Sequence, residues 1–344
     1  MKPFQLLIGA ALVLTMAGSC DKQNDDLVDP LSAEAFPQVI KFDDEGDGDL
    51  EDADAFSFKL TLNDRVDPSG KELGGIVLPL DQDVKVYFAV KEFEGFARLA
   101  DYIKEAKAFY EIDDCTTSED QGIDLDLQFD VSTGKGSVIF PKGVTEIEVE
   151  FATDEDLLND DVLNEDERFI VFTLTSVEAA GRSVAINNGV DFTYEVLDDE
   201  GVQGDWELDH SDPAAFAAFK ALFSSISEDI AGLEADAVEK IEISIEYNEV
   251  KVKVELKETE IIEECDGPEE VNKEIEIEAD LEDLSLQSAD GDIEFVGEIE
   301  QTDGSIKEFT AKGSFEIVDG KLQLLLTLEY DDEETDEIQL VLSK

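Results

Sequence analysis

The chain is poor in positive charge, because 25 Lys and Arg residues stand against 89 Asp and Glu residues and leave a formal net charge of −64 at pH 7. Such a balance leaves no basic patch for a phosphate backbone, which argues against nucleic acid as a partner. Divalent cations are the natural counter-charge. Of the basic residues 21 are Lys and only 4 are Arg. Salt-adapted proteins generally lose Lys, so adaptation to high salt is the less favoured explanation of this acidity.

Histidine and tryptophan are each present once, as His210 and Trp206. A single His does not by itself exclude a Ser–His–Asp constellation, but no Gly-x-Ser-x-Gly motif accompanies it. Zinc sites of the His/Cys type lack ligands. His210 follows Asp209 in a predicted linker, where an exposed side chain is expected. One Trp is also too few for the aromatic platforms of a sugar-binding cleft. We therefore expect that the chain is not an enzyme.

The N-terminus carries a short apolar run, from Phe4 to Met16, after Lys2. It is too short to span a bilayer as a mature helix and is typical of a secretory signal. Ala17-Gly18-Ser19 and Cys20 follow, and this tetrad resembles a bacterial lipobox, with Ala17 where Leu is usual. The resemblance implies that Cys20 is acylated and holds the protein at a membrane of the cell envelope. The alternative is an ordinary secretion signal with a coincidental cysteine.

The predicted organisation is a signal peptide over residues 1–19, an acidic tether over 20–35, and two β-rich domains over 36–201 and 202–344. The early acids Asp21, Asp25 and Asp26 resemble the export signals of Bacteroidetes lipoproteins, which makes surface display one hypothesis, while the outer-membrane, periplasmic and surface locations all remain open. Cys115 and Cys265 fall in different predicted domains. An inter-domain disulfide and two free thiols both remain open.

Residues 36–201 alternate between apolar and polar side chains in short runs, which predicts an Ig-like antiparallel β-sandwich. The runs are Ala55 to Leu62, Val84 to Phe88, Gly136 to Phe140, Glu146 to Phe151, Phe169 to Leu174 and Phe192 to Val196. One segment differs in its spacing. Its apolar residues recur at helical spacing, which predicts an amphipathic helix inserted between strands. These residues are Phe96, Leu99, Ile103, Ala106 and Tyr110.

The second predicted domain begins with a helix, for which Asp212 is a candidate N-cap and Pro213 a first-turn residue. The apolar face of this helix comprises Phe216, Phe219, Phe223, Ile226 and Ile230. Alternating runs follow, including Ile241 to Ile245 and Val250 to Val254. Asp-Gly pairs at 290–291, 303–304 and 319–320 predict hairpin turns. This pattern indicates an up-and-down β-meander, either open or closed into a barrel.

Gly204-Asp205-Trp206 looks like the Gly-x-Trp start of lipocalin-like domains, in which the tryptophan closes one end of a barrel. That resemblance implies an alternative function, the binding of a small apolar ligand inside the second domain. Trp206 could equally be an ordinary core residue.

Three stretches of the first domain resemble the Calx-β family, the calcium-binding sandwich also found in sodium–calcium exchangers. They are Gly136 to Gly143 with the strand that runs on to Phe151, Asp160 to Phe169, and the apolar strand that ends in Asp198-Asp199-Glu200. The order of the stretches matters more than any one of them, because an acidic triplet is common in so acidic a chain.

The resemblance implies Ca²⁺ as a cofactor and assigns its ligands to particular positions. These are Asp130, Asp160, Asp161, Val162 through its carbonyl oxygen, Glu167, Asp198, Asp199 and Glu200. Asn164 stands where the family has a glutamate, and the first-strand acid corresponds to either Glu51 or Asp52. Ca²⁺ takes six to eight oxygen ligands, and loops at one end of a sandwich can bring distant acids together. Clustered carboxylates repel one another without a metal ion, so binding should stabilise the fold.

The expected function is that of a lipid-anchored, extracytoplasmic, Ca²⁺-binding structural or interaction module, whose further partners would be other envelope proteins. A solvated acidic rim without bound metal is the competing interpretation of the same residues.

Overall fold

The structure, a computed structural model, describes residues 37–64, 77–112, 121–158, 163, 166–178, 184–264, 267–284, 288–301, 304–331 and 333–344. The segments predicted as signal peptide and tether lie outside this part of the chain, and so do Cys20, Cys115 and Cys265. Lipidation and the cysteine pairing therefore stay predictions.

No helix within the described ranges is both long enough and apolar enough to cross a membrane.

The protein is mainly β, as predicted, and its first module is a sandwich of two six-stranded sheets. Its strands are β1 (Gln38–Phe42), β2 (Gly46–Leu50), β3 (Ala55–Asn63), β4 (Val84–Glu94), β5 (Glu105–Ile112), β6 (Gln121–Asp124), β7 (Leu127–Asp130), β8 (Lys135–Phe140), β9 (Glu146–Ala152), β10 (Phe169–Glu178), β11 (Val184–Ile186) and β12 (Phe192–Leu197). One sheet has the order β11-β1-β3-β9-β5-β6 and the other the order β2-β12-β10-β4-β8-β7.

Aromatic side chains fill the space between the two sheets. Strand β3 shows why, since its buried residues alternate with more exposed ones along its whole length. The ring of Phe58 lies 5.2 Å from that of Phe172 and 5.5 Å from that of Phe88, while Phe56 stacks on Phe151 at 5.0 Å. Burying each such ring contributes about 1.5–3 kcal/mol, so this aromatic layer fixes the two sheets against each other.

The sandwich is not antiparallel throughout. Strand β1 pairs in parallel with β11, and β2 pairs in parallel with β12. Residues 43–45 form a short bend, at which the chain leaves β1, the neighbour of edge strand β11 in one sheet, and continues as β2 at the edge of the other sheet. This bend places the end of β2 beside the end of β12.

The predicted helix around Leu99 is wrong over most of its length. Only one helical turn forms, α1 (Leu99–Tyr102), and the chain then enters β5. There Ala108 is buried and pairs with Val149 of β9. Sheet pairing on both sides of β5 outweighs the helical spacing of a few apolar residues, because local preference yields to tertiary contacts.

The second module is a closed eight-stranded barrel with one further short strand. Its strands are β13 (Gly204–Glu207), β14 (Val238–Ile245), β15 (Glu249–Glu264), β16 (Gly267–Leu284), β17 (Asp290–Glu300), β18 (Ile306–Val318), β19 (Lys321–Tyr330), β20 (Glu333–Glu334) and β21 (Ile338–Ser343). Strands β13 to β18 are consecutive neighbours, as in a meander. Pairing of β18 with β19, of β19 with β21 and of β21 with β13 closes the ring.

The predicted helix of this module is confirmed as α2 (Pro213–Phe223), and its N-cap Asp212 accepts a hydrogen bond of 2.8 Å from the backbone N–H of Ala214. A shorter helix, α3 (Glu228–Gly232), and a 3₁₀ turn (Ala235–Ala237) follow. The buried faces of α2 and α3 belong to the same apolar cluster as the inward-facing side chains of the barrel strands. These side chains form one continuous apolar core within the module.

Two of the three predicted Asp-Gly turns fall at strand connections. Asp319 and Gly320 both have positive φ and join β18 to β19. Gly304 lies between β17 and β18 with a φ of 80°, while Asp303 lies outside the described residues. The prediction for Asp290-Gly291 is wrong. Both residues lie in β17 and pair with Glu316 and Phe315 of β18, so the ladder extends through the pair.

Candidate metal centre

Four carboxylates converge at the edge of the sandwich where β2 and β12 end. The parallel register pairs Leu50 with Leu197, the last residues of the two strands. Glu51 therefore follows one strand beside the acidic triplet, residues 198–200, that follows the other. One ligand atom from each of the four acids lies within 4.8 Å of all the others. The bend at residues 43–45 thus brings together acids that are far apart in the sequence.

A tight turn folds the acidic triplet back on itself. The side chain of Asp198 accepts a hydrogen bond of 3.0 Å from the backbone N–H of Glu200, and its carbonyl oxygen accepts one of 3.1 Å from Gly201. An aspartate that binds the backbone two residues ahead forms an Asx turn. This turn directs the three carboxylates toward one place instead of alternating them across a strand.

Arg168 is the buried cation of this cluster. Its guanidinium lies 2.5 Å from a carboxylate oxygen of Glu51 and 3.3 Å from one of Asp198, and its side chain is 3% exposed. Gly95, with a φ of 96°, makes room for it, since a Cβ there would lie 2.6 Å from Cγ of Arg168. Glu51 and Asp198 therefore share one internal positive charge.

Asp199 and Glu200 differ from Glu51 and Asp198 in their hydrogen bonding. Oδ1 of Asp199 and Oε2 of Glu200 are buried, and no hydrogen-bond donor in the described part of the chain reaches either atom. Contact with the carboxyl group of Asp199, then partial burial and repulsion from Asp199 and Asp198, raise the pKa of Glu200 to about 8. Two carboxylates that face each other in this way are stabilised by a proton or by a metal cation.

Further acidic and phenolic groups lie along β2 and its neighbours. Burial, and then repulsion from Asp47 and Glu246, raise the pKa of Asp49 to about 6. Tyr102 is buried nearby, and this burial raises its pKa to about 12. The surroundings of the cluster therefore disfavour additional negative charge in the absence of a cation.

The barrel borders this region on two sides. Tyr247 packs against β2 so closely that a Cβ on Gly48 would lie 2.9 Å from its ring. Lys344, which follows β21, donates a hydrogen bond from its ammonium group to the carbonyl oxygen of Asp199. The cluster therefore lies next to the contact between the two modules.

The structure brings together some of the predicted ligands. Asp198, Asp199 and Glu200 lie in the cluster, and of the two candidate first-strand acids Glu51 joins them, whereas the side chain of Asp52 is exposed. The carboxylate convergence expected at one end of the sandwich is therefore present for the end of β12.

Other predicted ligands lie apart from this group or outside the described residues. Asp130 is exposed at the end of β7, where its carboxylate accepts hydrogen bonds from Ser132 and Thr133. Glu167 is exposed beside Glu195, whose pKa is raised first by burial and then by the charge of Glu167. The remaining positions, Asp160, Asp161, Val162 and Asn164, lie outside the described residues, and their role stays a prediction.

The two cations of the site, Arg168 and Lys344, are not among the residues predicted from the sequence. Arg168 gave one available signal, since it is one of only four Arg residues in a chain rich in Lys, and Arg is the cation best suited to a buried pairing with carboxylates. Lys344 gave none, because nothing in its neighbourhood of the sequence connects it with Asp199.

The donor set consists of carboxylate oxygens, which is the chemistry that Ca²⁺ prefers. Asp199 and Glu200 offer oxygens without donors, and Glu51 and Asp198 offer one ligand atom each within the same small volume. The cluster thus fits a hard divalent cation, and the positive charge of Arg168 should make its affinity modest.

A scan against protein-family models finds no match for this chain, and a search of the curated proteins finds none either. Among solved structures, CBD12 from CALX1.2 is 12% identical, with 81% of this chain and 82% of that chain covered and a TM-score of 0.28. The calcium binding domain CBD12 of CALX1.1 has the same identity and TM-score, with coverages of 86% and 82%. A Bacteroides ovatus protein of unknown function is 11% identical, with coverages of 90% and 95% and a TM-score of 0.24. At these TM-scores, any conclusion about function has to come from the side chains of the cluster.

Proposed function

We propose that the protein is a Ca²⁺-binding structural or interaction module without catalytic activity, held at the cell envelope through an acylated Cys20. The observation that supports the metal site is the pair of buried oxygens on Asp199 and Glu200 that have no donor, within a group of four converging carboxylates. A bound cation would remove the mutual repulsion of these groups. It would thereby stabilise the turn at the end of β12 and the edge of the sandwich.

Calorimetric titration with CaCl₂ and thermal melting with Ca²⁺ or a chelator test the metal site. We expect a Kd of about 10⁻⁴–10⁻³ M, in the range of extracellular calcium modules. At about 10 mM Ca²⁺, binding of this strength stabilises the folded state by about 1–3 kcal/mol. The double variant Asp199→Asn/Glu200→Gln should lose most of the heat and of the melting shift.

The matched control is Asp124→Asn/Asp126→Asn, which removes two exposed carboxylates from the same module. It should bind Ca²⁺ as the unmodified protein does, because these acids lie outside the cluster. Equal losses in both double variants would assign the effect to general charge. An unmodified protein that gives neither heat nor a melting shift at about 10 mM Ca²⁺ would refute the proposal.

The lipid anchor is tested separately in cells. Cys20→Ser should abolish labelling by a fatty-acid analogue and move the protein from the membrane fraction to the soluble fraction, since even one acyl chain adds measurable membrane affinity. Cys115→Ser is the control and should remain labelled and membrane-bound. Fatty-acid labelling that persists in Cys20→Ser would place the modification elsewhere.

The alternative function, the binding of an apolar ligand within the second module, has weaker support. Its inward-facing residues pack with α2 and α3 in one buried cluster. A cleft of about 590 Å³ on its surface is lined by acids such as Glu308, Glu329 and Asp331. Ligand pockets for apolar molecules are mostly lined by apolar side chains, so this cleft does not favour one.

A further inference from the structure

Lys344 connects the barrel to the acidic cluster. Its ammonium group donates to the carbonyl oxygen of Asp199 and lies 4.9 Å from the centre of the Trp206 ring. Partial desolvation lowers the pKa of Lys344, while the charges of Asp199, Glu200 and Asp198 act in the opposite direction. One ammonium group from the barrel is therefore hydrogen-bonded to the backbone of the acidic triplet and lies within the electrostatic influence of its carboxylates.

The chain segment between the cluster and Trp206 is buried and hydrogen-bonded. Val202 and Gln203 are buried, and the indole N–H of Trp206 donates a hydrogen bond of 2.7 Å to the carbonyl oxygen of Val202. Trp206 itself is 2% exposed. Any displacement of Lys344 consequently changes the surroundings of a fixed aromatic ring, and Trp206 is the single tryptophan of the chain.

We propose that Lys344 is an internal competitor of the bound cation, so that filling the acidic cluster weakens the contact of Lys344 with Asp199 and Trp206 and loosens the sandwich–barrel junction. This inference rests on the proposed Ca²⁺ site. Its physical basis is that a divalent ion beside Asp199 and Glu200 repels the ammonium group and takes over its role as counter-charge. Calcium would then regulate how the barrel is held against the sandwich.

The test combines calorimetry with Trp206 fluorescence during a CaCl₂ titration at constant ionic strength. In the unmodified protein we expect heat and a change of Trp206 emission with the same midpoint. Lys344→Met removes the charge but keeps much of the side chain, so it should bind Ca²⁺ roughly 3- to 10-fold more tightly. Its Trp206 emission should no longer respond to Ca²⁺.

Two further variants control for charge and for side-chain contact. Lys312→Met removes a lysine that pairs with Glu294 and Glu329 on the barrel, and it should behave as the unmodified protein. Lys344→Arg keeps the positive charge and should retain a fluorescence response.

The competition would be refuted, and the Ca²⁺ site retained, if Lys344→Met bound Ca²⁺ with the same affinity as the unmodified protein. The same conclusion would follow if Ca²⁺ changed Trp206 emission equally in Lys344→Met and in the unmodified protein. Absence of heat in the unmodified protein would instead remove the Ca²⁺ site, and this inference with it.

Discussion

The guanidinium of Arg168 and the four carboxylates around it set the charge of the site. A buried ion pair gains Coulomb energy but loses the hydration of both partners, and its net contribution is often near zero. Removal of only one partner is different, because the carboxylates left behind stay buried and uncompensated. Glu51 and Asp198, at 1% and 0% exposed, would lose the buried cation that pairs with both of them.

We therefore expect Arg168→Met to lower the free energy of unfolding by about 3–5 kcal/mol in a chelator-containing buffer. Urea unfolding measures this change. Saturating Ca²⁺ should restore part of the loss, because a cation in the cluster replaces some of the missing positive charge.

Arg98→Met is the matched control for this variant. Arg98 forms an ion pair with Asp101, but its side chain is 76% exposed, so its loss should cost about 0–1 kcal/mol. Equal destabilisation by the two substitutions would show that Arg168 does not compensate buried charge.

At the scale of strands and helices, the periodic placement of apolar residues along the sequence is what predicts an element. Strand β3 and strand β10 were predicted because one face of each is buried on the aromatic core and the other is not. Helix α2 was predicted from its cap and its apolar face for the same reason. Where one face is buried, periodicity in the sequence records the geometry directly.

The failures at this scale arose where neighbouring strands decide the outcome. Strand β5 has apolar residues at helical spacing, yet it lies between β9 and β6 and pairs with both. Asp290-Gly291 has turn chemistry, yet the β17–β18 ladder runs through it. Long-range pairing is not encoded in the spacing of a short segment.

The candidate site was predictable only as far as its local motif extends. The triplet at residues 198–200 could be found because it follows an apolar strand directly. The sequence could narrow the first-strand acid only to Glu51 or Asp52. The parallel pairing of β2 with β12 places Glu51 beside the triplet. Arg168 and Lys344 depend on contacts between distant elements, which is why motif comparison did not identify them.

For the whole molecule, the net charge of −64 and the raised pKa values of several acids both lower the free energy of unfolding as the pH rises. A carboxyl group whose pKa is higher in the folded state binds its proton more tightly there than in the unfolded chain. Its contribution to stability is complete below the unfolded pKa and is lost as the pH rises through the folded pKa. For Asp49 and Glu200 the loss runs from about pH 4 up to about 6 and about 8, respectively.

In a chelator-containing buffer, the free energy of unfolding should therefore fall between pH 5 and pH 9 by about 1–2 kcal/mol, after allowance for solvent screening. Asp130 and Asp209, whose pKa values are lowered by hydrogen bonds from Ser132 and Ser211, act only below this window. Urea unfolding across the pH range is the measurement.

Asp49→Asn should flatten the curve between pH 5 and 7, whereas the exposed Asp126→Asn should not. Ca²⁺ should flatten it above pH 7, because a cation beside Glu200 favours the ionised carboxylate. If the free energy of unfolding in the chelator instead rises with pH, the carboxyl groups at this edge of the sandwich do not have raised pKa values in the folded state.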